Sequence, residues 1–205
     1  MPNKSQKLNR KQREYLQHRQ EIRESALDLF SKKGLHKVSM KDIAEASEFA
    51  VGTLYNFFKN KNELYHDLVM NKASKFHTAL INAIETPRTV TEKIESWISE
   101  KIRIFNDDRK FMRIYFTETM GPGSNVRLGL VDEIQLKYDD IINRLTDVFK
   151  NGIEQNIFIK SDPYLLALAL DGMANAFLFE IVKNGDARKI DAETILNIFY
   201  YQVKI

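Results

Sequence analysis

Cysteine is absent from this 205-residue chain, which excludes disulfides and thiolate zinc sites and makes a reducing cytoplasm the simplest address. Prolines number only four and glycines eight, and no stretch reads as a long linker or low-complexity tract. The histidines His18, His36, His66 and His77 form no HExxH pattern, so neither a metal nor a cofactor is expected. No apolar run of about 18 residues is free of charge, and the N-terminus is polar rather than signal-like, so no membrane partner is expected. Strand-type alternation is missing throughout. So are a nucleophile–base pair and a phosphate loop, which argues against an enzyme.

What remains is an all-α pattern of about nine helices. Residues 1–18 are basic and poorly patterned (Lys4, Lys7, Arg10, Lys11, Arg13) and read as a flexible arm. Such an arm either contacts DNA backbone or minor groove or simply solubilises the chain. A first helix is expected from near Gln17 to Lys33, with Ile22, Ala26, Leu29 and Phe30 on one side and Gly34 as its stop. A long helix runs from Lys61 to about Ile84, and Pro87 marks its end. Thr89 and Glu92 cap the next helix, which carries Trp97 and Phe105, and a short aromatic helix with Phe111, Tyr115 and Phe116 follows. After the Gly121-Pro122-Gly123 break come helices over about 125–155, 163–183 and 191–203.

The informative segment is residues 39–64, SMKDIAEASEFAVGTLYNFFKNKNEL. Ser39 with Asp42 is a capping box opening a short helix that buries Ile43 and Ala44. The break falls at Ser47-Glu48-Phe49, a second short helix carries Gly52 to Phe58, and Asn60 with Glu63 restarts the chain as a helix at Lys61. Two short helices joined by a tight turn form a helix-turn-helix, the unit that enters a DNA major groove. Charge agrees. Residues 1–66 hold 13 Lys and Arg against 8 Asp and Glu, whereas the remainder holds 18 against 20.

Ile43-Ala44, Gly52-Thr53-Leu54-Tyr55, Phe58-Lys59-Asn60-Lys61 and Glu63-Leu64 together resemble the signature of the TetR family of transcriptional regulators. The preceding Ile22, Ala26, Leu29, Phe30 and Lys32-Lys33-Gly34 are similar too. The resemblance covers about residues 20–66 and implies a three-helix DNA-binding domain (19–66) joined by a long helix to a dimerisation and effector-binding domain (67–205). It implies that residues 51–57 form the recognition helix. Ser39, Lys41, Tyr55 and Lys61 would then meet phosphate, with Val51, Gly52, Thr53 and Asn56 towards base edges. For Asn56 a plain solvent-facing role stays open. Three positions depart from the family pattern: Glu48 replaces the turn glycine, Ala50 the cap serine, and Val51 a polar residue.

The segment 163–183 is apolar nearly all the way round, as a helix buried on several sides is. It is either the central helix of one domain or, as the resemblance implies, part of a homodimer face with the last helix. For that face the expected residues are Leu166, Leu170, Ala174, Leu178, Ile195 and Phe199. Aromatics at helical spacing are ordinarily core. The resemblance adds a second role, a cavity lined by Trp97, Phe105, Phe111, Tyr115, Phe116, Met173 and Phe177 for a small hydrophobic or amphipathic effector. The reading is a cytoplasmic dimeric regulator, most simply a repressor, on double-stranded DNA carrying an inverted-repeat operator. Its alternatives are an effector-independent regulator or activator, and a helical small-molecule-binding protein with a vestigial reader.

Overall fold

A computed structural model describes residues 9–86, 88–120, 131–184 and 191–205. Among these residues the chain forms nine helices and no strand. In order they are α1 (Arg10–Lys33), α2 (Met40–Ala46), α3 (Val51–Phe57), α4 (Lys61–Glu85), α5 (Val90–Asp107), α6 (Arg109–Met120), α7 (Val131–Glu154), α8 (Pro163–Asn184) and α9 (Ala192–Val203). The all-α expectation holds. Lys4, Lys7, Pro87 and the Gly121-Pro122-Gly123 break lie outside the described residues. The chain divides into two compact units between Leu68 and Val69, within α4.

Local chemistry sets most helix starts. Ser39 and Asp42 exchange cap bonds at α2, and Thr89 and Glu92 do the same at α5. Asp191 opens α9 by accepting from the Thr194 N–H. Those bonds hold the Asp42 and Glu92 carboxyls below their ordinary range, in both cases chiefly through the cap residue. One start corrects the sequence reading. α1 begins at Arg10, not near Gln17, because Asn9 and Gln12 form a further reciprocal capping box. Residues 10–18 are therefore helical rather than a flexible arm.

Unit 1 is built on Ile22, Ala26, Phe30, Leu35, Val38, Ile43, Leu54, Phe58, Leu64 and Tyr65, all buried. At the edge of this core Asp67 accepts from both Arg19 and Arg23 at 2.8 Å, fixing α1 on α4. Arg19 also lies 4.6 Å from the centre of the Phe58 ring.

Unit 2 buries Trp97, Phe105, Phe149, Phe158, Leu170 and Phe199 in one contiguous core. Full burial of each such side chain favours folding by about 1.5–3 kcal/mol. By length and composition Pro163–Val182 could cross a membrane (mean hydropathy 1.8); here its Ala167, Leu170, Ala174 and Leu178 pack into this core. At the end of α7, Asn156 takes φ +55° and closes a Schellman turn, with Ile157 N–H donating to Gly152 O at 2.8 Å. Gly152 is required there for space: a Cβ would overlap the Phe158 ring and come within 2.9 Å of Val90 Cγ1.

The dimer-face residues need correcting. Leu166, Leu170, Ala174, Leu178, Ile195 and Phe199 are all buried inside the protomer's own core. A helix apolar on every side gives no phase from which to choose the outward stripe. The outward apolar residues include Tyr164, Leu165, Ala169 and Ala176 on α8, with Ile198 and Tyr201 on α9.

Candidate nucleic-acid interface and apolar cavity

The turn between α2 and α3 is a complete Schellman motif. Phe49 N–H donates to Ala44 O at 3.0 Å and Glu48 N–H to Glu45 O at 3.2 Å, with Glu48 at φ +60°. Glutamate thus occupies the left-handed position that glycine fills without strain, at a cost of about 1 kcal/mol. Ala50 supplies no side-chain cap to α3, as its identity requires. Leu54 is buried and anchors the helix, which leaves Val51, Gly52, Tyr55 and Asn56 exposed and Thr53 half-buried. Ser39 and Lys41 are exposed at the start of α2. The hydroxyl of Ser39 is engaged by its own cap, donating to Asp42 at 2.6 Å.

Lys61 does something the sequence did not suggest. Its ammonium donates to Leu35 O and Val38 O at 2.8 Å and to His36 O at 3.3 Å, tying down the α1–α2 connection. All three of its donors are engaged inside the protein. Behind α3 lies an aromatic group: Tyr15 stacks on Phe57 at 5.0 Å, and His18 meets Phe49 at 5.2 Å and Phe57 at 6.1 Å. Phe57 is accordingly a packing residue.

Unit 2 contains a partly open cavity of about 450 Å³ with walls from α4 to α8. Trp97, Phe105, Phe111 and Tyr115, named above by resemblance, line it. Met173 and Phe177 do not; they pack half-buried against the core. They sit roughly 160° and 120° around α8 from Asp171, which faces the cavity together with Asn175 and Leu178. The side chain of Phe116 lies outside the described residues.

The polar part of the lining was missed by the sequence reading. Asp171 is 2% exposed, the one buried charged residue among those described, and it accepts from Lys101 at 2.5 Å, Asn175 at 2.8 Å and Tyr138 at 3.1 Å. Burial, then the Asp171 carboxylate, pushes the Tyr138 phenol above its ordinary value. Lys101 also lies 5.0 Å from the centre of the Trp97 ring. A carboxylate in the middle of a mostly apolar helix demands a buried partner, and that was the usable signal. His77, another lining residue, meets Asp140 at 2.7 Å, and Arg144 joins Asp140 to Glu85. Burial opposes ionisation of Asp140, yet the bonds from His77 and Arg144 hold its carboxyl below the usual range. The described residues include no cluster of three or more His, Cys, Asp or Glu able to hold a metal.

Comparison with known proteins gives this geometry its context. Residues 22–68 match the family described as bacterial regulatory proteins, tetR family. The transcriptional regulator LuxR of Vibrio harveyi is 24% identical over 101 residues, which is 49% of each chain, so the chain spans about half that relative's length. The fatty acid metabolism regulator protein of Bacillus subtilis (strain 168) is 24% identical over 147 residues, covering 72% of both. Among solved structures, the TetR-family regulator PfmR from Thermus thermophilus superposes with a TM-score of 0.72 at 20% identity, covering 87% of this chain and 94% of its own. The helix-turn-helix match, the relatives and the fold agree: residues 22–68 are a TetR-family helix-turn-helix region, and the chain as a whole shares the fold of TetR-family transcriptional regulators.

Proposed function

We propose that the protein is a dimeric repressor that binds an inverted-repeat operator and is released by a small apolar or amphipathic effector. The observation that carries this reading is the exposure pattern of α3. Leu54 is held in the core, while Val51, Gly52, Tyr55 and Asn56 stand outward on a helix with no other packing duty for them. Asn56 supplies a bidentate partner for adenine, Val51 and Thr53 meet thymine methyls, and Tyr55 and Lys41 meet phosphate. Lys61 acts by shaping the α1–α2 connection rather than as a free phosphate clamp, since its donors are engaged.

Dimerisation rests on the outward apolar residues of the last two helices. Leu165 is 57% exposed and Tyr201 86%, a costly arrangement for a lone protomer and an ordinary one for an interface. A two-fold dimer presents two recognition helices to two half-sites. The cavity in unit 2 supplies the effector site, and a ligand acts by binding the DNA-compatible and DNA-incompatible states with different affinity.

The test is selection of bound sequences from random duplex DNA at near-physiological salt. An enriched inverted repeat is expected, with affinity falling steeply as salt rises. A folded dimer that enriches no sequence would sink the reading.

A further inference from the structure

The polar end of the cavity carries two lysines against one carboxylate, and that imbalance of charge specifies a head group. Resting on the reading that the cavity is an effector site, we propose that it takes an amphipathic monocarboxylate, with an apolar body and a carboxylate that accepts from Lys101 and is balanced by Lys137. An ammonium has three donors, and Lys101 uses one of them on Asp171. Asp171 in turn accepts from Lys101, Tyr138 and Asn175, on three helices, and its charge is already matched by Lys101. The indole N–H of Trp97 is buried with no acceptor among the described residues, and Trp97 is a wall of the cavity. Lys137 also lines the cavity, half-buried, and enters no ion pair among the described residues.

These features distinguish three classes of apolar ligand. A cation would face two lysines and a carboxylate already paired with one of them. A neutral alcohol offers two acceptor positions but no charge, and would leave the charge of Lys137 unanswered. A carboxylate offers two oxygens with about four acceptor positions, enough for the spare Lys101 donors, and its charge balances the excess of one lysine. The volume of about 450 Å³ and the mostly apolar lining suit a body of ordinary ligand size.

Trp97 is the single tryptophan of the chain, so intrinsic fluorescence reports cavity occupancy directly. The experiment titrates the full chain with three probes of one tail length, below their aggregation limits: dodecanoate, 1-dodecanol and dodecyltrimethylammonium. Saturable binding of dodecanoate is expected, about tenfold or more tighter than dodecanol, with the ammonium probe weakest. The doubly substituted K101M/D171L protein removes both buried charges together, so neither is stranded. It should lose most of the preference for acid over alcohol. Lys137→Gln, at a half-buried position remote from that pair in sequence, should lose part of it and serves if the double variant does not fold.

No saturable dodecanoate binding, dodecanol binding as tightly, tighter binding of the ammonium probe, or a preference unchanged in these variants would each overturn the proposal. Release of operator DNA is measured separately. Dodecanoate binding without release supports the head-group assignment and removes the effector reading. Release by alcohol or ammonium without any acid preference does the reverse.

Discussion

The two units place their functional side chains in opposite ways. In unit 1 the candidate DNA-reading residues stand outside a small core, and only Leu54 of α3 is fully buried. In unit 2 the candidate ligand residues are themselves part of the interior, with Trp97 fully buried and Asp171 nearly so. A surface reader can change its outward side chains with little cost to folding. An interior site cannot, because each lining residue also packs or satisfies a neighbour. The contrast predicts that mutations separate function from stability in unit 1 and couple them in unit 2.

The largest effect is expected from Gly152→Ala. The added methyl meets Phe158 and Val90, and overpacking of this kind costs roughly 3 kcal/mol. Trp97 fluorescence in urea should show a lowered midpoint for unit 2; an unchanged midpoint would mean that Phe158 moves aside freely. Next comes Lys61→Met, which strips donors from three carbonyls of the α1–α2 connection at a cost of about 2 kcal/mol. DNA affinity should fall while the Trp97 unfolding midpoint stays near that of the unchanged protein. If the fluorescence midpoint falls equally, the two units melt as one and the contrast drawn above fails.

Glu48→Gly should stabilise unit 1 by about 1 kcal/mol and tighten DNA binding, because it relieves the +60° backbone and removes a negative charge from the turn. Weaker binding at fixed salt would show that the glutamate itself contacts the DNA side productively. The smallest effect is a pH dependence shared by both units. Asp42 and Glu92 are held below their ordinary carboxylate values by their caps, so their contribution is present above that range and lost as pH falls through it towards the lowered values. Urea midpoints followed between about pH 5 and pH 3 should decline, and Asp42→Asn should flatten the part seen by circular dichroism but not by Trp97 fluorescence.

The same contrast explains what could be read from the sequence. Helix starts at α2, α5 and α9 were legible because a cap is written within four residues. The start of α1 is an equally local box, Asn9 with Gln12, but no apolar stripe follows it until Ile22, so the segment resembled a tail. Unit 2 was legible only as a run of helices. Lys101 and Asp171 are 70 residues apart, and nothing in the spacing of either announces the other. For α8, uniform apolarity hid which stripe faced inward, which misassigned the dimer residues and placed Met173 and Phe177 in the cavity.

The aromatic group behind α3 sets a limit on how this reader could be transplanted. The recognisable family segment starts at residue 22, yet Tyr15 and His18, upstream of it, are the residues that press on Phe57 and Phe49. A chimera assembled from residues 22–68 alone would carry the motif without its brace. Its recognition helix would be free to shift against the turn, and the graft would lose selectivity between operators before it lost the ability to fold.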